Sequence, residues 1–154
     1  MSGALVIGVG SDLRRDDAVG RHVAEEYEAR SLGDVAVIVT TQLVPELVEP
    51  ISASDRVVFV DASVAVSAVA AVLVEPLAGA GDSHHSTPGA LLGLAERLGM
   101  NVPPAFLVQV PAHDLSLGEG LSPQTAGFVP TALAMVGDLA DGGDVEAQGF
   151  ESPC

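Results

Sequence analysis

The stretch ALVIGVGSDLRRDDAVG, from Ala4 to Gly20, limits what this chain can fold into more tightly than any other. Ala4–Leu5–Val6–Ile7 reads as a buried strand, Gly8 and Gly10 allow the backbone to leave it sharply, and a helix-like segment begins near Asp16. Two adjacent carboxylates, Asp16 and Asp17, stand at the junction. In α/β proteins this is where chemistry sits, because the crevice outside the carboxyl ends of parallel strands is open to ligands.

A nucleotide fits the junction poorly. GxGxxG would need a glycine where Leu13 stands, and the P-loop pattern would need a Lys–Ser/Thr pair that is missing. A helix N-terminus attracts phosphate, but two carboxylates beside it repel one and suit a cation better. The plainer alternative is that Asp16 or Asp17 caps the helix.

The following chain supplies alternating elements. Val19, Val23 and Tyr27 mark an amphipathic helix to Arg30, with His22 on its surface. Val35–Val39 is a β-branched run expected to be a strand buried on both faces. Pro45 and Glu46 open a short helix that ends near Ile51. Val57–Val60 is a strand ending on Asp61, which delivers that carboxylate to the same sheet edge as Asp17. Val69–Val74 arrives too soon for a crossover helix and is expected to pair antiparallel with its predecessor.

GAGDSHHSTP, residues 79–88, is a polar loop holding the chain's only His pair, His84 and His85. Ser86 or Thr87 with Pro88 caps a helix to Gly99 whose apolar face is Leu91, Leu92, Ala95 and Leu98. Imidazole with carboxylates is a borderline ligand set suited to Ni²⁺ or Zn²⁺. Ala105–Val110 is the last strand, and the loop after it offers His113, Asp114 and Glu119 as cleft candidates, a solvated loop being the plainer reading. Ser122 and Pro123 open a final helix through Val129, Leu133, Val136 and Leu139, with a kink or short first turn at Pro130.

These elements predict a single-domain α/β fold, a three-layer α/β/α sandwich around about five strands, mostly parallel and twisted, with one antiparallel strand. The domain is expected over residues 1–140, and residues 141–154 as an acidic, disordered tail. Six Lys+Arg against 21 Asp+Glu give a formal charge of -15, which disfavours nucleic acid and anionic membranes as partners. The one cysteine, Cys154, leaves no intrachain disulfide and disfavours thiol chemistry. The segment before Gly8 is short and without a basic start, and no apolar run reaches the roughly eighteen residues of a span, so a cytoplasmic protein is expected.

GVGSDLRRDDAVG (8–20), QLVPEL (42–47), VVFVDA (57–62), SHHSTPGALLGLA (83–95) and GEGLSP (118–123), in that order, resemble the successive blocks of the hydrogenase maturation endopeptidases. The match covers residues 4–137. The resemblance implies a small α/β endopeptidase that removes the C-terminal extension of a [NiFe] hydrogenase large-subunit precursor once nickel is inserted. It places the metal-contacting carboxylates, which also carry the catalysis, on Asp17 and Asp61, and the metal-contacting histidine on His84 or His85, with the nickel brought by the precursor. Ser11 stands where the family commonly has Asn and Ala18 where it has Gly. Asp17 is one methylene shorter than the Glu of well-known members. The chemistry implied is hydrolysis in which the metal is a recognition element, without a covalent Ser or Cys intermediate. The competing expectation is a nickel-dependent binding or chaperone module that does not cleave.

Overall fold

The structure is a computed structural model that describes residues 3–31, 35–78 and 87–145. Its elements run β1 (Ala4–Val9), a 3-10 turn (Arg15–Ala18) leading into α1 (Val19–Arg30), β2 (Ala36–Thr40), a 3-10 turn (Pro45–Leu47) into α2 (Val48–Ser52), β3 (Arg56–Ser63), β4 (Ala70–Leu73), α3 (Pro88–Arg97), β5 (Ala105–Pro111), α4 (Pro123–Ala126) and α5 (Val129–Ala140). The strand order is β2-β1-β3-β5-β4. Val6 pairs with Val37 on one side and Val58 on the other, Val58 with Phe106, and only β4 runs antiparallel, through Val72 opposite Leu107.

Strand periodicity divides the core into two. Val6, Val58, Val60, Phe106 and Val108 pack with Val19 and Val23 of α1 and with Val136 and Leu139 of α5. Their neighbours Leu5, Ile7, Val57 and Phe59 point to the opposite face and meet Ile51 of α2 and Leu91, Leu92 and Ala95 of α3. The result is the three-layer sandwich expected, with β1 and β3 central and covered on both faces.

Four expectations are corrected in detail. The 35–39 run is not a doubly buried strand: β2 lies at the sheet edge, and its residues are half-buried, with Ala36 exposed. β4 pairs with β5 and not with its predecessor, because both edges of β3 are taken by the parallel neighbours β1 and β5. Leu98 is the C-cap residue of α3 and 60% exposed, so the apolar face ends at Ala95. The final helix is two helices: α4 stops at Gly127, and Pro130 stands at the start of α5, where its missing N–H costs nothing.

The capping residues are those the sequence indicates. Thr87 Oγ1 accepts from the Ala90 N–H at 3.1 Å, and Ser122 Oγ from the Thr125 N–H at 3.3 Å. At the other end of the domain Arg56 lies over the Phe106 ring and donates to the carbonyls of Leu139 and Gly143, a cation held at the negative end of α5. Val145 packs against the same core, and residues 146–154 lie outside the described residues. Among the described residues no helix is long and apolar enough to cross a membrane.

Candidate active site

Two glycines let the first loop close onto the sheet. Gly10 has φ +155°, and a Cβ there would run into the Asp17 carbonyl. Gly20, in the first turn of α1, lies so close to the Val9 and Val60 carbonyls that a Cβ would strike both. The start of α1 is thereby seated over the junction of β1 and β3, the point where the chain's connections diverge to opposite faces of the sheet.

Asp17 and Asp61 are both half-buried at this edge. Asp17 Oδ2 accepts from the Ser11 N–H at 2.9 Å, which ties the 3-10 turn back to the exit of β1. Asp61 Oδ1 accepts from the Ala62 N–H at 2.8 Å. Burial pushes the Asp61 carboxyl up to about 6, and the negative charge of Asp17 adds to that rise, while the Ala62 bond opposes it. The fold thus brings two carboxylates that the sequence separates by more than forty residues near enough for the charge of Asp17 to disfavour ionisation of Asp61.

Asp16 does something else. It is fully buried, and its Oδ2 accepts from the backbone N–H groups of His113 and Asp114 and from the hydroxyls of Ser122 and Thr125, each at 2.8 Å. Its Oδ1 accepts from the Ser122 N–H at 2.7 Å. Burial alone would raise its pKa, but these bonds outweigh burial and hold the carboxyl far below the usual carboxylate range. Neither aspartate caps α1: the N-cap position is Ala18 and no side chain caps it, because the intervening 3-10 turn places both carboxylates inside a helical turn.

The 113–125 loop is laced to the first loop by further bonds. Arg15 N–H donates to the Gly118 carbonyl at 3.1 Å, Gly118 N–H to the Leu13 carbonyl at 3.0 Å, and Asp16 N–H to the Asp114 carbonyl at 3.0 Å. Arg15 adopts φ 43°, a left-handed conformation uncommon for a side-chain-bearing residue, held by this lacing. Ser116 holds the Asp114 carboxyl below its ordinary range through its hydroxyl at 2.6 Å and its N–H at 3.0 Å. His113 is exposed, stacked 6.2 Å from Phe128 at 7°, with Nδ1 2.9 Å from Thr125 Oγ1. The loop is therefore solvent-facing yet bonded throughout.

His84 and His85 lie outside the described residues. Among the described residues no group of three or more His, Cys, Asp or Glu is placed to hold a metal ion, so Asp17 and Asp61 are at most part of such a set. Sequence reasoning missed the Asp16–Ser122–Thr125 cluster. Its visible trace was the capping residue Ser122 followed by a threonine three positions on, but nothing in the chain linked either to Asp16.

Fold and site define a small doubly wound α/β protein with a carboxylate pair at the switch point of its sheet. Several of the solved structures similar to it are described as hydrogenase maturation endopeptidases, and one is an uncharacterized protein from Wolinella succinogenes. The endopeptidase HybD of Escherichia coli superposes with a TM-score of 0.73 at 22% identity, covering 91% of this chain and 94% of that one. The [NiFe] hydrogenase maturation protease HycI of Thermococcus kodakarensis gives 0.62 at 27% identity, covering 91% of each chain. A hydrogenase 2 maturation peptidase from a thaumarchaeote gives 0.67 at 20% identity over 93% of this chain and all of that one. No protein-family model and no curated protein sequence matches the chain. HybD, HycI and the thaumarchaeal peptidase are of the family that the ordered blocks of the sequence resemble.

Proposed function

We propose that this chain is a processing endopeptidase that removes the C-terminal extension of a [NiFe] hydrogenase large-subunit precursor after nickel insertion. The observation that carries the reading is the placement of Asp17 and Asp61 at the same sheet edge, near enough that the charge of Asp17 helps to push Asp61 up to about 6. Two half-buried carboxylates that repel one another are a site a cation would relieve, since a positive charge between them favours the ionised form of both. Nickel carried in the precursor is the cation this reading assigns, contacted by Asp17, Asp61 and His84 or His85. It is cargo of the substrate, and its contact reports that insertion is complete. A bound nickel can also act as a Lewis acid on a carbonyl or a water.

The protein's own contribution is positioning. Asp17 is held by the Ser11 N–H and by the close seat of α1, and Asp61 by the Ala62 N–H, which restricts both carboxylates before a metal docks. Covalent catalysis by the Thr125–His113 pair is disfavoured, because the Thr125 hydroxyl is buried and its one proton is engaged by the Asp16 carboxylate.

The test is cleavage of purified precursor, followed by intact mass. The reading expects the wild-type chain to shorten the nickel-loaded precursor and to leave the nickel-free one whole, and Asp17→Asn and Asp61→Asn to lose cleavage while remaining folded. Full activity in both variants would overturn the site. Binding of the nickel-loaded precursor without shortening would replace the reading by a non-cleaving maturation module.

A further inference from the structure

A groove of about 1030 Å³ runs along the outer side of α1, between that helix and the segment from Glu119 to Ala134. Its volume is at the upper limit of small-molecule pockets, and it is an open furrow with room for a chain. One wall is apolar, built of Leu121, Val129, Pro130 and Leu133. The facing wall is the charged side of α1.

The charges do not balance. Asp12, Glu25, Glu26 and Glu119 line the groove against Arg21 and Arg30. Arg30 pairs with Glu26 at 2.7 Å, His22 of the lining lies 3.7 Å from the same Glu26, and Arg21, which donates to the Gly10 carbonyl at 3.3 Å, is left against Asp12, Glu25 and Glu119. What the rim offers a visitor is negative. One end of the groove reaches the turn that carries Asp17, since Ala18, the last residue of that turn, and Asp12 ahead of it are in the lining.

We propose that this groove docks a polypeptide segment of the substrate adjoining the cleaved bond, a segment carrying basic and apolar residues. The proposal rests on the endopeptidase reading for the identity of the polypeptide, and on charge complementarity and the groove's reach to Ala18 of the Asp17 turn for the place. Apolar side chains of the segment lie on Leu121 and Leu133, and its basic side chains reach Glu25 and Glu119.

The experiment is an amide-shift titration of the full chain with a short peptide of alternating leucine and lysine, and with its leucine–glutamate counterpart. The proposal expects the lysine peptide to shift Leu121, Leu133 and Ala134, and the glutamate peptide to shift none of them. Ala134→Arg and Glu25→Lys, both at exposed groove positions, should each weaken lysine-peptide binding roughly tenfold, and Glu96→Lys on α3 should not. The same two variants should raise KM for the precursor with kcat retained. Shifts spread over the whole acidic surface, or equal binding of both peptides, would overturn the groove. Precursor cleavage with unchanged KM in Ala134→Arg and Glu25→Lys would overturn it too, while leaving the endopeptidase reading intact. Groove binding in a wild-type chain that cleaves no precursor would instead overturn the endopeptidase reading and, with it, the substrate named here.

Discussion

Five donors converge on the Asp16 carboxylate at 2.7–2.8 Å in a position closed to solvent. Its neighbour Asp17 faces the sheet edge with one such bond. Replacing Asp16 by Asn would set an NH₂ against donors that need an acceptor, so Asp16→Asn should lose about 3 kcal/mol or more of stability in urea unfolding. Unchanged stability would contradict its role as the anchor of the 113–125 loop. Asp61 behaves in the opposite sense. Its folded pKa is raised from 3.8 to about 6, so the folded state holds its proton more tightly than the unfolded chain. Its contribution to stability is therefore lost as pH rises through that window, and the penalty is full above about 6, at most about 3 kcal/mol before solvent screening. Asp61→Asn should accordingly be more stable than wild type at neutral pH, with the advantage shrinking toward pH 4; a pH-independent difference would contradict the shift. The sequence made Asp61 legible as an edge carboxylate, since an apolar strand fixes where its end lies, and the resemblance of the ordered blocks pointed to Asp17 as the second. Local pattern did not show that Asp16 is the buried anchor, because the 3-10 turn entered through left-handed Arg15 has no periodicity to read.

At the scale of elements, the placement of α1 depends on what is absent from its first turn. Gly20→Ala would drive a methyl into the Val9 and Val60 carbonyls, both backbone, so the helix must lift from the β1–β3 junction and carry Asp17 with it. Overpacking of this kind costs about 1–3 kcal/mol. Gly20→Ala should therefore be less stable by that amount and should also lose cleavage out of proportion to its unfolded fraction; full activity in the folded variant would contradict the positional argument. Helix ends were legible because capping is local chemistry, as at Thr87 and Ser122. Strand neighbours were not. Apolar β-branched residues make β2 look like a central strand, yet position in a sheet is decided by the whole order, and α1 on one face half-covers this edge strand enough to favour valine. The partner of β4 was equally hidden, since the slot beside β3 is filled by β5, which comes later in the chain.

The molecule as a whole carries a formal charge of -15 on 154 residues. Repulsion of that size opposes compaction and is screened by salt, so the melting temperature should rise as ionic strength is brought from low values to about 0.15 M. No rise would mean that the folded chain already binds compensating cations. The central claim, processing of a hydrogenase precursor at the Asp17–Asp61 edge, is tested most directly by the intact mass of hydrogenase large subunits from nickel-replete source cells with and without this gene. The account predicts a longer C-terminus only in the deletion strain, trimmed on adding the purified wild-type chain and not on adding Asp17→Asn. Identical masses in the two strains, with no trimming of any precursor by the purified chain, would contradict it.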